Sequence, residues 1–203
     1  NTEKSSWLLW FGVAAGFGLL NKYTVLILLF AMLPGLLFTK RRNVFTNKQL
    51  YFAAGLALLI FSPNIAWQAA HQFPVFRHMG ELATSQFAHV SAGSFFGDQL
   101  QFHLAAAPVW LAGLYFLLFA KQARNWRIFG WMYLTVLAVL LFFSAKSYYS
   151  LGAYPVLVAA GAAWLEQLTH NRMQWLRVAL PVLMVGLGAL TMPVAMPFLK
   201  PEA

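Results

Sequence analysis

Lys146, Ser147, Tyr148, Tyr149, Ser150 and Tyr154 sit together between two apolar runs. One cation among several hydroxyls suits an anion. A lysine ammonium flanked by phenol and serine O–H groups can grip a phosphate, and reduced dielectric at a membrane surface strengthens each contact. The competing structural reading is a snorkelling lysine within an aromatic belt. A second polar break, Asn21-Lys22-Tyr23, interrupts apolar sequence, so Lys22 either meets an anionic headgroup or marks a helix end near the interface. The third concentration runs from Gln68 to Gln101 and just beyond. It holds His71, Arg77, His78, Glu81, Gln86, His89, Asp98, Gln99 and His103. On a helix, His78 and Glu81 share a face at i and i+3 and could take a divalent cation or a substrate hydroxyl, with His71 nearby. His71, His89 and Asp98 follow no recognised metal spacing, so a divalent metal is a candidate cofactor that nothing in the spacing specifies.

The elements that must position these groups are apolar. The 203 residues are 61% hydrophobic and 9% charged, with no Cys, and mean hydropathy is +0.65. This composition is that of a membrane protein, and the missing Cys excludes disulfides and thiolate metal sites. Seven apolar runs appear: Trp7–Leu20, Thr24–Phe38, Leu50–Trp67, Leu100–Ala120, Ile128–Phe143, Pro155–Leu168 and Val178–Leu199. The expected fold is therefore all-α, a polytopic membrane helical bundle of about seven transmembrane helices in a single domain. Phe73, Val75, Phe76, Met79 and Leu82 alternate with polar residues as in an amphipathic helix lying on the outer leaflet.

A formal net charge of +9 would suggest nucleic acid in a soluble chain. Here the basic residues sort by connection instead. Lys4, Lys40, Arg41, Arg42, Lys48, Lys121, Arg124, Arg127, Arg172 and Arg177 fall on one side, against Lys22, Arg77, Lys146 and Lys200 on the other. The first side is cytoplasmic by the positive-inside rule, and a nucleic-acid partner is not expected. Trp7, Trp10, Trp67, Trp126 and Trp175 lie near run ends, where an indole anchors at the interface. Gly12 and Gly16 make a helix-contact spacing, and no Walker-type phosphate loop occurs, which disfavours a nucleotide-driven pump.

Three segments carry a family resemblance: Gly16-Phe-Gly-Leu-Leu-Asn-Lys-Tyr-Thr24, Ser62-Pro-Asn-Ile-Ala-Trp-Gln68 with His71-Gln-Phe-Pro74, and Lys146-Ser-Tyr-Tyr-Ser-Leu-Gly-Ala-Tyr-Pro155. In this order they resemble bacterial members of glycosyltransferase family 39, the protein-mannosyltransferase and aminoarabinose-transferase relatives. The resemblance implies a GT-C membrane fold in the bacterial inner membrane. It also implies transfer of a sugar from a polyprenyl-phosphate donor to a lipid, glycan or protein acceptor on the extracytoplasmic face. Tyr149 matches the family tyrosine close to the carrier phosphate, and Lys146 matches the basic residue a few positions earlier. The usual proline before that tyrosine is replaced here by Tyr148, and the spacing to the lysine differs by about one residue. Lys22 matches the family lysine after the Gly-rich helix.

The family's essential acidic residues belong to an external loop rich in Asp, Glu, Tyr and His, and no such motif occurs here. The chain, opening at Asn1 without an initiator Met, is therefore expected to be the later part of a longer enzyme whose base lies upstream, and to be inactive alone. Two other classes compete. A transporter or flippase would place broken helices and ionisable groups near the bilayer centre. A purely structural membrane subunit would have no anion site at Lys146 and Tyr149.

Overall fold

The computed structural model describes residues 2–82, 84–85, 91–170 and 173–195. Gln86, His89, Arg172 and Lys200 lie outside the described residues. Within them the chain is helical throughout: α1 Thr2–Asn21, α2 Val25–Leu37, α3 Lys48–Ala70, α4 Pro74–Leu82, α5 Ala92–Phe102, α6 Ala107–Phe119, α7 Arg127–Phe142, α8 Tyr154–Leu168 and α9 Leu176–Ala195. Tight 3₁₀ segments occupy Lys40–Thr46, Leu104–Ala106 and Ser147–Ala153.

Among the described residues each apolar run contributes a helix, the last as far as Ala195, but few are long. By length and composition α3 can cross a membrane, and the pair α5 and α6 adds a second candidate, bent by 71° at its break. Ser6–Asn21, Val25–Leu37, Arg127–Phe142 and Leu176–Leu190 are apolar but shorter, so helix length alone does not establish seven crossings. The run Leu100–Ala120 is the one that differs from its sequence reading. α5 begins earlier, at a capping box in which Ser91 and Ser94 bond reciprocally. It then stops at Phe102, before a 3₁₀ turn from which Pro108 starts α6.

The contacts fix relative helix directions. Gly12 faces Ala53 and Gly16 faces Ala57 and Ile60, so α1 and α3 run parallel. In α6 and α8, Trp110 meets Tyr154 near their starts while Phe116 meets Trp164 nearer their ends, so these also run parallel. Gly35 faces Ile128, and Phe38 packs on Trp131, whereas Lys22 reaches Tyr148 at the opposite ends, making α2 and α7 antiparallel. This is the alternation expected of successive passes. It gathers Arg41, Arg42, Arg124 and Arg127 toward one end of the bundle and Lys22 and Lys146 toward the other.

Close approach depends on missing side chains. A Cβ on Gly113 would overlap the Leu157 carbonyl oxygen, and one on Gly161 would overlap that of Val109, so the backbones of α6 and α8 touch. The core beside this contact contains Phe95, Leu117, Val136, Leu140, Tyr154 and Leu157. Much of the remaining apolar surface faces outward, including Phe30, Leu59, Phe142 and Leu190. Exposed apolar area this extensive is what lipid contact requires and water does not tolerate. The five tryptophans read as interfacial anchors are all exposed.

α4 matches the expected amphipathic helix. None of its residues is buried, and Phe76 and Met79 stand exposed.

Candidate functional site

The turn between α1 and α2 holds Lys22. Its amide donates to the Gly18 carbonyl at 2.8 Å and its carbonyl accepts from the Val25 amide at 3.1 Å, so the chain breaks cleanly into two helices here. The Lys22 ammonium then stands 5.2 Å from the Tyr149 ring centroid and 5.8 Å from that of Tyr148. Both lie within cation–π range. Below them opens a cavity of about 300 Å³, lined by Lys22, Thr24, Leu28, Val136, Tyr149 and Gly152 among others. A cation and phenols at the rim over an aliphatic floor is an arrangement for an anionic head joined to an apolar tail.

Neighbouring hydrogen bonds hold the turn. The Tyr23 hydroxyl donates to Asn64 Oδ1 at 2.7 Å and accepts from Gln68 Nε2 at 2.8 Å. Gln68 Oε1 in turn accepts from the Val75 amide at 3.3 Å, tying α3 to the start of α4. The polar residues of the Gly16–Thr24 and Ser62–Gln68 segments thus bond each other, while Lys22 reaches the Lys146–Pro155 segment. All three segments that carry the resemblance meet around one turn.

The 3₁₀ segment that carries Tyr149 is bonded to α5. The Ser147 hydroxyl donates to Asp98 Oδ2 at 2.7 Å, and Gln99 Nε2 donates to the Ser147 carbonyl at 3.1 Å. Gln99 Oε1 accepts from the Ser150 hydroxyl at 2.6 Å and the Tyr154 hydroxyl at 2.8 Å. Gln99 and Ser150 are buried, so this network is shielded from competing water and clamps the 3₁₀ segment. Hydrogen bonding with Tyr148, followed by burial and by repulsion from the same phenol, pushes the Tyr149 hydroxyl up to about 12. It therefore remains an O–H donor at neutral pH and presents no negative charge to an anion.

The remaining sequence candidates are dispersed. Lys146 precedes the 3₁₀ segment as its N-cap residue, half-buried, and does not line the cavity that Lys22 and Tyr149 share. The His71 ring stacks on Trp67 with centroids 4.4 Å apart, and its Nδ1 lies 2.8 Å from the Trp67 carbonyl oxygen. The chain then passes through two left-handed residues, Gln72 at φ 61° and Phe73 at φ 52°, before Pro74. Such backbone costs energy in non-glycine residues, and the Gln68 bonds across the turn help to hold it. His78 and Glu81 both lie on α4, but the Glu81 carboxylate pairs with Arg77 at 3.4 Å. Among the described residues no three His, Asp or Glu side chains gather to hold a metal.

Asp98 and Gln99 were visible in the sequence only as part of a polar loop. Their position at the start of an apolar run, where a buried helix face begins, was the available signal.

Residues 1–67 match the family described as dolichyl-phosphate-mannose-protein mannosyltransferase. No curated protein and no solved structure matches the chain. The match contains Lys22, Tyr23 and Asn64, so the resemblance to this mannosyltransferase family holds over that segment, about a third of the chain. The Lys146–Pro155 segment lies outside the match.

Proposed function

We propose that this chain is part of a GT-C glycosyltransferase of the bacterial inner membrane, crossing it about seven times and taking a sugar from a polyprenyl-phosphate donor on the extracytoplasmic side. The acceptor is a lipid, glycan or protein hydroxyl. The observation that carries the proposal is the Lys22 ammonium held over Tyr149 and Tyr148 at the rim of a cavity with an aliphatic floor.

In this reading the acceptor oxygen attacks the anomeric carbon as the bond from that carbon to the phosphate oxygen breaks. The electron pair leaves with the carrier phosphate. Lys22 and the Tyr149 O–H stabilise the developing charge on the phosphate, and Leu28 and Val136 receive the first apolar carbons of the carrier. Lys146 adds positive charge nearby without lining the cavity. The carboxylate that accepts the acceptor's proton belongs, as the resemblance implies, to sequence before Asn1. His71, His78 and Glu81 lie toward the same face and are proposed contacts for sugar or acceptor hydroxyls, without a metal assigned to them.

The test is donor-dependent sugar transfer by the full-length enzyme. Lys22→Met should lower it roughly ten- to a hundredfold, the loss expected from one charge-assisted contact, and Tyr149→Phe less. Unchanged transfer in both variants would leave the site as an aromatic belt with a snorkelling lysine.

A further inference from the structure

A larger cavity, of about 490 Å³, runs between α8 and α9. Val109, Val158, Ala162, Leu165, Leu180 and Met184 make most of its wall apolar. At one end, however, stand Glu166, Thr169 and Arg177. α9 meets the bundle at the 3₁₀ turn Leu104–Ala106, and Arg177 at its start is tied to the end of α8, leaving a gap between the two helices. The space so opened lies between two apolar helices of a membrane chain, where lipid is the solvent.

The polar end is specific in its chemistry. Arg177 Nε donates to Thr169 Oγ1 at 3.3 Å, and Nη2 donates to the Glu166 carbonyl oxygen at 2.8 Å and lies 3.2 Å from His170 Nδ1. These contacts fix the guanidinium against the final turn of α8. Among the described residues, no carboxylate lies within ion-pair distance of Arg177, and its bonds to them run through Nε and Nη2, not Nη1. Glu166 is exposed and belongs to the lining of the same cavity. One fixed cation and one separate anion at the mouth of an apolar groove complement a zwitterion.

We propose that this groove is a binding site for a phospholipid with a phosphoethanolamine headgroup. The phosphate bonds the free edge of Arg177, the primary ammonium bonds the Glu166 carboxylate, and one acyl chain fills the wall formed by α6, α8 and α9. A headgroup with a net negative charge satisfies Arg177 but is repelled by Glu166. A choline headgroup keeps the charges but has no N–H to donate. The site lies apart from the Lys22 cavity and does not depend on which sugar is moved.

The experiment incubates the purified chain with equal amounts of phosphatidylethanolamine, phosphatidylcholine and phosphatidylglycerol of identical acyl chains in mixed micelles. Retained lipid is then counted by native mass spectrometry. The wild type should retain phosphatidylethanolamine about tenfold over each of the others, a ratio typical of one charge-assisted hydrogen bond. Glu166→Gln changes an exposed side chain and should reverse the preference toward phosphatidylglycerol. Arg177→Gln should lose selective retention of all three, and circular dichroism reports whether α8 survives the change. Equal retention of the three lipids by the wild type overturns the proposal. So does a Glu166→Gln variant that keeps the wild-type order.

Discussion

Replacing Gly161 by alanine should damage this protein more than any comparable surface change. A Cβ there would overlap the Val109 carbonyl oxygen and lie 2.9 Å from the Gly113 amide nitrogen. Both are backbone atoms, so no rotamer change relieves the overlap and α6 must move away from α8. That movement loosens Leu157 and Leu117, which are almost fully buried, and the contact of Phe116 with Trp164. Overpacking costs roughly 1–3 kcal/mol, and an overlap with backbone belongs at the upper end. For a chain of this size the melting temperature should fall by roughly 5–10 °C. Gly113→Ala should cost about as much, and because both disturb one contact the double variant should lose less than the two losses added. Gly55 is the control. Nothing lies within 4 Å of a Cβ there, and Gly55→Ala should gain roughly 0.5–1 kcal/mol from the stiffer helix. Thermal melts in one detergent suffice, and a Gly161→Ala variant that melts with the wild type would refute the parallel contact of α6 and α8.

Gln99→Leu should destabilise the chain by roughly 1–3 kcal/mol, since it removes the acceptor shared by the Ser150 and Tyr154 hydroxyls and a donor to the Ser147 carbonyl, leaving only the Ser150–Ser147 and Tyr133–Tyr154 bonds. A matching loss of melting temperature, with helicity retained before the transition, is the expected readout. Because folding raises the Tyr149 hydroxyl to about 12 from an ordinary value of 10.0, the folded chain binds more protons than the unfolded one between these values. Its contribution to stability is therefore complete below about pH 10 and fades as pH approaches 12. Ultraviolet titration of the wild type against Tyr149→Phe should show one phenol ionising late. Single cysteines at Asn43 and Ser91 in the Cys-free chain should react with an impermeant maleimide from opposite sides of the membrane, since the charge pattern assigns these connections to different faces.

Hydropathy made the helices legible, because a span must be apolar along its length whatever it packs against. It did not show the break at His103. The break falls inside the apolar run Leu100–Ala120, and just before it Asp98 and Gln99 bond the Ser147–Ala153 segment, a contact made across the fold. Charge sorting placed Lys22 and Lys146 at one end, and the antiparallel pairing of α2 with α7 brings them there. What sequence could not give was the choice between them. Lys146 is the near neighbour of Tyr149 in the chain, yet Lys22, far away in sequence, is the cation over its ring. Local spacing favours a neighbour, and within a 3₁₀ helix residues i and i+3 would share a face, but Lys146 stands just outside the segment in extended backbone, at ψ 138°. On α4 it is likewise Arg77, one turn before it, that the Glu81 carboxylate meets.

The most direct measurement is the binding of farnesyl phosphate, with farnesol as the uncharged control, to the purified chain and to Lys22→Met and Lys146→Met variants. Farnesyl phosphate should bind the wild type and lose roughly ten- to a hundredfold in affinity with Lys22→Met, while Lys146→Met loses less and farnesol responds to neither. Wild-type affinity for farnesyl phosphate in Lys22→Met would contradict the assignment of the cavity at the α1–α2 turn to the carrier phosphate.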